Sequence, residues 1–230
     1  MQTIGLIGGM SWESTLPYYR LINQTVREAR GGLHSAKVLL YSVDFHEIEV
    51  LQHAGDWDAA GAAMADAARR LHAGGADFIV LCTNTMHKVA DAITHATPLP
   101  LLHIADATAQ ALLDAGIDRV GLLGTRFTME QDFYRKRLEA RGLEVLVPPA
   151  PDRDDVHRII YDELCQGVID ETSRSTYRQV MARLVEAGAQ GIILGCTEIS
   201  LLVGQDDATV PLFDTTTLHA RAAALRGMRD

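Results

Sequence analysis

The chain has 230 residues, 47% of them hydrophobic and 22% charged, and carries a formal net charge of −9. Domains run roughly 100 to 200 residues, so one large or two small domains both fit, and two small ones is the preferred reading; the composition is that of an ordinary globular protein with ample apolar surface to bury. The acidic balance, with Lys and Arg scattered rather than clustered, argues against nucleic acid or an anionic membrane as partner and leaves a small molecule.

The chain opens MQTIGLIGG, with no basic segment ahead of the first apolar run, and no stretch has the unbroken apolar length of a membrane span. A soluble, cytoplasmic protein is expected. In chain order, TIGLIGG reads as a strand, a helix starts at about Ser14, AKVLLYSVD reads as a second strand, a helix spans about Trp57 to Gly74, and FIVLCT is a third strand. RVGLLGT, LEVLVPP, a helix from about Tyr177 to Ala187, and GIILGCT continue the series. Gly74, Gly75 and Gly188 follow helices as C-terminal signals do. This alternation predicts an α/β fold with largely parallel sheets. Cys82, Cys165 and Cys196 are widely spaced and form no CxxC pair, so they are read as free thiols.

Three segment pairs repeat in the same order. LHAGGADFIVLCTNT at Leu71 matches LVEAGAQGIILGCTEI at Leu184 when Gly75 is set on Gly188, an offset of 113; IGLIGGM at Ile4 matches VGLLGTR at Val120, an offset of 116; PLLHIAD at Pro100 matches PLFDTT at Pro211, an offset of 111. The near-constant offset predicts a duplication: two pseudo-twofold-related α/β domains, each a mostly parallel sheet flanked by helices, with the active site in the cleft between them. The expected boundaries are 1–98 plus 211–230 for the first half and 99–210 for the second.

That register sets Thr83 on Cys196, Asn84 on Thr197 and Thr85 on Glu198, each triplet closing an apolar strand. A strand end leading into a helix offers N–H groups that attract a carboxylate and lower a thiol pKa from about 8.5, so Cys196 is expected to be partly thiolate near neutrality. A lone buried Cys more often simply packs, but Cys196 has polar Thr197 and Glu198 beside it and a hydroxyl at the matching position of the other half. LCTNTMHK and LGCTEI are similar to the two signature segments of the aspartate/glutamate racemase superfamily, in which a cysteine precedes Asn-Thr in the first half and Thr-Glu in the second. GLIGGMSWEST and GTRFTM resemble that family too, so the resemblance spans essentially the whole chain. One departure stands out: Thr83 occupies the position of the first cysteine, and Cys82 lies one residue earlier. Neighbouring strand residues point to opposite faces, which assigns Cys82 to the core, although a one-residue local shift would exchange the two.

The resemblance implies an amino-acid racemase that needs neither pyridoxal phosphate nor metal, acts on a small-molecule amino acid and forms a homodimer. Cys196 would take the α-proton of the L-enantiomer as base, and Thr83, directly or through water, would donate to the opposite face. Asn84, Thr85 and Thr197 would hydrogen-bond the substrate carboxylate as it gains enolate character, and Glu198 would lie among the substrate-binding groups. Because a hydroxyl is a far weaker acid than a thiol, L-to-D conversion is expected to be kinetically favoured. Met10 and Ser11, and their counterparts Thr125 and Thr128, either line the carboxylate site or serve as turn formers. Gln52, in EVLQHAGDW, lies where the resemblance implies a substrate-covering segment, and on its own reads equally as a solvated helix residue. His87 and His103 are read as structural hydrogen-bonders, and no HxH or HExxH pattern supports a metal.

Asp, Glu or a broader range of substrates remain open, because no Arg or Lys lies within the matched motifs and Lys88 and Arg126 only neighbour them. Alternatives are a single-cysteine decarboxylase or isomerase of the same superfamily, and a catalytically weak amino-acid-binding protein. A dinucleotide reductase is disfavoured, since GLIGGM does not supply GxGxxG in order.

Overall fold

The computed structural model describes residues 1–229. The first sheet arises from β1 (Thr3–Gly8), α1 (Trp12–Arg30), β2 (Lys37–Ser42), α2 (Phe45–Ala54), α3 (Trp57–Ala73), β3 (Phe78–Leu81), a 3-10 turn (Thr85–Val89), α4 (Ala90–Ala96) and β4 (Leu101–Leu102). After α5 (Ile104–Asp114) the same plan repeats: β5 (Arg119–Gly124), α6 (Arg126–Glu130), α7 (Asp132–Glu139), β6 (Glu144–Leu146), α8 (Ala150–Asp162), a 3-10 turn (Leu164–Gln166), α9 (Glu171–Glu186), β7 (Gly191–Gly195), α10 (Ile199–Leu202), a 3-10 turn (Gln205–Asp207), β8 (Leu212–Asp214) and α11 (Thr215–Gly227). The four-stranded sheets run β2-β1-β3-β4 and β6-β5-β7-β8, all pairs parallel.

The ladders carry the offsets seen in the sequence. Ile4 pairs with Phe78 as Val120 pairs with Gly191, and Ile79 pairs with Leu101 as Ile192 pairs with Leu212. Identical connectivity and identical register make the halves a duplication.

One unit is Met1–Ile104 with the chain from His219 onward, the other Ala105–Leu218. The boundaries read from the sequence, 98/99 and 210/211, would part β4 from β3 and β8 from β7. The parallel ladders hold both short strands in those sheets, so the divisions fall six and eight residues later, at 104/105 and 218/219.

The strands of the first unit are covered on both faces, as parallel sheets require. Alternation sends Ile7, Ile79 and Leu81 into a cluster with Met64, Ala67 and Leu71 of α3, and sends Ile4, Leu6, Phe78, Val80 and Cys82 into another with Tyr18 and Ile22 of α1 and Ala220, Ala223 and Ala224 of α11. Both helical faces follow the three-to-four spacing of an amphipathic helix. In the second unit Leu123, Ile192, Leu194 and Cys196 pack with Val156 and Ile159 of α8 and Tyr177, Val180 and Leu184 of α9. Truncating a wholly buried core side chain such as Ile79 to Ala would cost about 2–5 kcal/mol.

Element limits differ from the sequence reading where caps decide them. The helix α9 starts at Glu171, ahead of the expected Tyr177, because the Asp170 carboxylate accepts from the N–H groups of Thr172 and Ser173. Of LEVLVPP only Glu144–Leu146 is strand, since Pro148 and Pro149 have no N–H to give a ladder.

Candidate active site

The central strand of each unit ends in a polar turn. Beyond β3, the Cys82 N–H donates to the Ile7 carbonyl and the Thr83 N–H to the Leu81 carbonyl; the Asn84 carbonyl then accepts from His87 N–H as the 3-10 turn begins. Beyond β7, the Cys196 and Glu198 carbonyls accept from the N–H groups of Ile199 and Leu201 and start α10. Thr83 and Cys196 are each 8% exposed, while Asn84, Thr85, Thr197 and Glu198 are more deeply buried.

Cys82 is wholly buried in the α1 and α11 cluster, on the face of Phe78 and Val80. Its Sγ donates weakly to the Val80 carbonyl at 3.9 Å, and burial pushes its thiol far up. Cys196 has the opposite parity, that of Ile192 and Leu194. At the position matching Cys82 stands Gly195, where a Cβ would lie 2.6 Å from the Leu123 carbonyl oxygen. The second unit therefore has room for a side chain at 196 and none at 195.

The expectation of a partly ionised Cys196 near neutrality is overturned. Burial is the chief cause that raises its pKa well above the ordinary thiol value, and the Glu198 charge raises it further. The helix beyond it, α10, has four residues, so little dipole is present to offset either effect. Cys196 Sγ donates to Glu198 Oε2 at 3.0 Å, and Thr197 Oγ1 donates to the same oxygen at 2.7 Å. The resting pair is a thiol on a carboxylate.

Cys165 belongs to the same surroundings, which the sequence reading did not anticipate. It lies in the 3-10 turn after α8 and packs against the cluster that includes Cys196. Burial raises its thiol, with the Glu198 charge adding to the effect. Tyr177 is raised well above its usual value by burial and then by the charges of Cys196, Glu163, Cys165 and Glu198. Two groups distant in sequence, Cys165 and Tyr177, thus lie about the thiol together with neighbouring Glu198.

The remaining predicted residues fall as follows. Ser11 begins α1, its carbonyl accepting from Ser14 Oγ and Thr15 Oγ1, with buried Met10 just before it. Gln52 is a buried residue of α2, not a solvated one, and its Nε2 donates to Met86 Sδ at 3.1 Å. Thr125 caps α6 by accepting from the Thr128 N–H, and Thr128 is wholly buried beside it. His87 bridges two backbone groups: Nδ1 donates to the Thr83 carbonyl at 2.7 Å and Nε2 accepts from Ile104 N–H at 3.2 Å. Lys88 lies over the Trp57 ring, 3.8 Å from its centroid. Among the described residues no group of three or more His, Cys, Asp and Glu is arranged to hold a metal ion.

Two equivalent parallel α/β units, each closing its central strand in a Thr83-Asn84-Thr85 or Cys196-Thr197-Glu198 turn, define a duplicated α/β protein with matched polar strand ends. The sequence profile of the Asp/Glu/hydantoin racemase family matches residues 7–223, and the chain belongs to that family. It is 25% identical over 231 residues to the broad specificity amino-acid racemase RacX of Bacillus subtilis (strain 168), covering 95% of each chain. Its structure is similar to that of an Asp/Glu racemase candidate from Yersinia pestis (62% identity, TM-score 0.93, all of both chains). It is also similar to that of an aspartate racemase homologue from Pyrococcus horikoshii OT3 (35% identity, TM-score 0.86, all of both chains).

Proposed function

We propose that this protein is a pyridoxal-phosphate-independent amino-acid racemase in which Cys196 is the base for the L-enantiomer and Thr83 the donor to the opposite face of the α-carbon. The observation that carries this reading is the equivalence of the two residues: Thr83 lies two residues beyond β3 and Cys196 one beyond β7, at matching positions of the two ladders and equally exposed. Family membership supports the reaction class, and Asp, Glu or a broader range of amino acids are the substrates to assay.

Removal of the α-proton leaves a carbanion whose charge moves into the substrate carboxylate. Backbone N–H groups of the two turns and the side chains of Asn84 and Thr85 serve as donors to it, with Met10, Ser11, Gln52 and Thr197 completing the binding surface, the Thr197 hydroxyl proton being held by Glu198. Thr125 and Thr128 shape this surface from α6. With one thiol and one hydroxyl, the two directions have unequal barriers, and L-to-D turnover is the faster. The enzyme acts in the cytoplasm as a homodimer; Trp12, Leu16 and Tyr19, exposed in a row along α1, offer an apolar surface for self-association.

Deuterium wash-in tests the chemistry. In deuterated water the wild type exchanges the α-proton of the L-enantiomer much faster than that of the D-enantiomer. Cys196→Ala abolishes exchange while the fold persists, and Thr83→Cys raises the D-side rate. Retained exchange in Cys196→Ala would overturn the assignment. Activity that survives a chelator and carbonyl reagents supports cofactor independence; loss to hydroxylamine reversed by pyridoxal phosphate refutes it. Because Thr83 leaves a single thiol, a decarboxylase or isomerase is the second reading, and carbon dioxide release from a malonate without change of amino-acid optical rotation would establish it.

A further inference from the structure

We infer that Glu198 is itself a catalytic residue, the acceptor that takes the Cys196 thiol proton and so makes the thiolate. This rests on the reading of Cys196 as base, and deepens it by moving Glu198 from substrate binding to proton transfer.

The geometry supplies the path. Cys196 Sγ donates directly to Glu198 Oε2 at 3.0 Å, and both side chains are buried. Thr197 Oγ1 donates to the same oxygen at 2.7 Å, which holds the carboxylate aimed at sulfur. The titratable groups around the pair are Cys165 on the 3-10 turn after α8 and Tyr177 on α9, with Glu163 acting on Tyr177. Loss of the thiol proton to bulk water would place two negative charges within 3.0 Å of each other in a buried site, which burial and like-charge repulsion both oppose. Transfer to Oε2 avoids this: thiol plus carboxylate becomes thiolate plus carboxylic acid, and the net charge of the pair stays at minus one.

Atoms and electrons balance through the cycle. The S–H bond breaks, its electron pair stays on sulfur, and the proton joins Oε2. Sulfur then takes the α-proton of the L-enantiomer and the C–H pair moves into the substrate carboxylate. The Thr83 hydroxyl gives its proton to the opposite face as it draws one from water. Glu198 finally releases its proton to water, which leaves the enzyme as it began and the substrate inverted.

The test uses the full chain carrying Glu198→Gln or Glu198→Asp. Two quantities are read: L-side α-proton exchange in deuterated water, and alkylation of Cys196 by iodoacetamide across pH, followed by peptide mass spectrometry. An acceptor role predicts that Glu198→Gln loses about 100-fold or more of L-side exchange near neutrality. It also predicts that Cys196 is alkylated more slowly there, that both rates recover as rising pH supplies thiolate, and that Glu198→Asp restores part of the loss. The opposite pattern, unchanged or faster exchange with alkylation shifted to lower pH, would mean that Glu198 acts only as a charge that holds the thiol protonated, and would overturn the inference. If Glu198→Gln does not fold, Glu198→Asp and Thr197→Val carry the same test: a several-fold loss of exchange in both supports the inference and unchanged exchange in both refutes it. Cys196→Ala separates the two levels, because exchange surviving there defeats the base assignment itself, whereas a dead Cys196→Ala beside an unaffected Glu198→Gln defeats only the role given to Glu198.

Discussion

His87 Nδ1 donates to the Thr83 carbonyl at 2.7 Å while its Nε2 accepts from Ile104 N–H at 3.2 Å. A carbonyl can only accept and an N–H can only donate, so the ring is neutral with its proton on Nδ1. One side chain thereby fixes the peptide of Thr83 to the first residue of α5, with the His103 ring 4.3 Å away and the His219 ring 5.9 Å away, centroid to centroid. Replacing His87 by Ala is expected to lower stability by about 1–3 kcal/mol through buried groups left unpaired. D-side exchange and inversion should fall about 10-fold more than L-side exchange, since the disturbance reaches the hydroxyl donor and leaves Cys196 in place. His87→Asn keeps a donor for Thr83 and His87→Gln an acceptor for Ile104, so the Asn variant should retain more of the D-side rate. Equal losses on both faces would leave His87 a purely structural residue.

Cys82 and Thr83 should separate cleanly by mutation. Cys82→Ala removes a wholly buried thiol and is expected to cost about 1 kcal/mol in urea unfolding with racemisation nearly unchanged. Thr83→Ala should do the reverse: little change in stability, and inversion impaired more than L-side exchange. Loss of D-side exchange in Cys82→Ala would show that the strand end shifts by one residue in solution.

The turn after β1 tolerates only glycine at position 9. Gly9 has φ +95°, and a Cβ there would lie 2.3 Å from the Val43 carbonyl oxygen. Gly9→Ala therefore combines left-handed strain with a backbone collision and should destabilise by about 2 kcal/mol or more. Gly55, at φ +71° and ψ 15°, has nothing within 4 Å of an added Cβ, so Gly55→Ala should cost about 1 kcal/mol from left-handed strain alone. Equal midpoint shifts in the two urea curves would contradict this ordering.

Alkaline pH should unfold the protein through its buried acids. Burial raises the thiols of Cys82 and Cys196 above the ordinary value of 9.0 and the phenols of Tyr134 and Tyr177 above 10.0. The folded protein keeps these protons where the unfolded chain sheds them. Stability is thus full below pH 9 and declines as pH climbs past the thiol and then the phenol range. Cys82→Ala should make the decline shallower, measured as unfolding free energy against pH; an unchanged slope would remove Cys82 from the set.

What the sequence determined by itself was whatever repeats. Offsets of 116 and 113 residues could be read from IGLIGGM, VGLLGTR and the two Gly-containing strands, and the ladders pair Ile4 with Phe78 and Val120 with Gly191 accordingly. Strand parity put Cys82 in the core and set Thr83 on Cys196, because side chains alternate with a period of two wherever a sheet is covered. Tertiary structure alone decided the rest. Strands β4 and β8 have two and three residues, too few to show a period, and only their ladder partners assign them to a unit. The approach of Cys165 and Tyr177 to Cys196, and the span of His87 to Ile104 seventeen residues on, have no sequence signature, because contacts between separate elements follow from how they pack. The protonation of Cys196 was decided in the same way: a strand end favours the thiolate, but desolvation and a carboxylate 3.0 Å away favour the thiol, and both depend on burial that exists only once the helices have closed over the sheet.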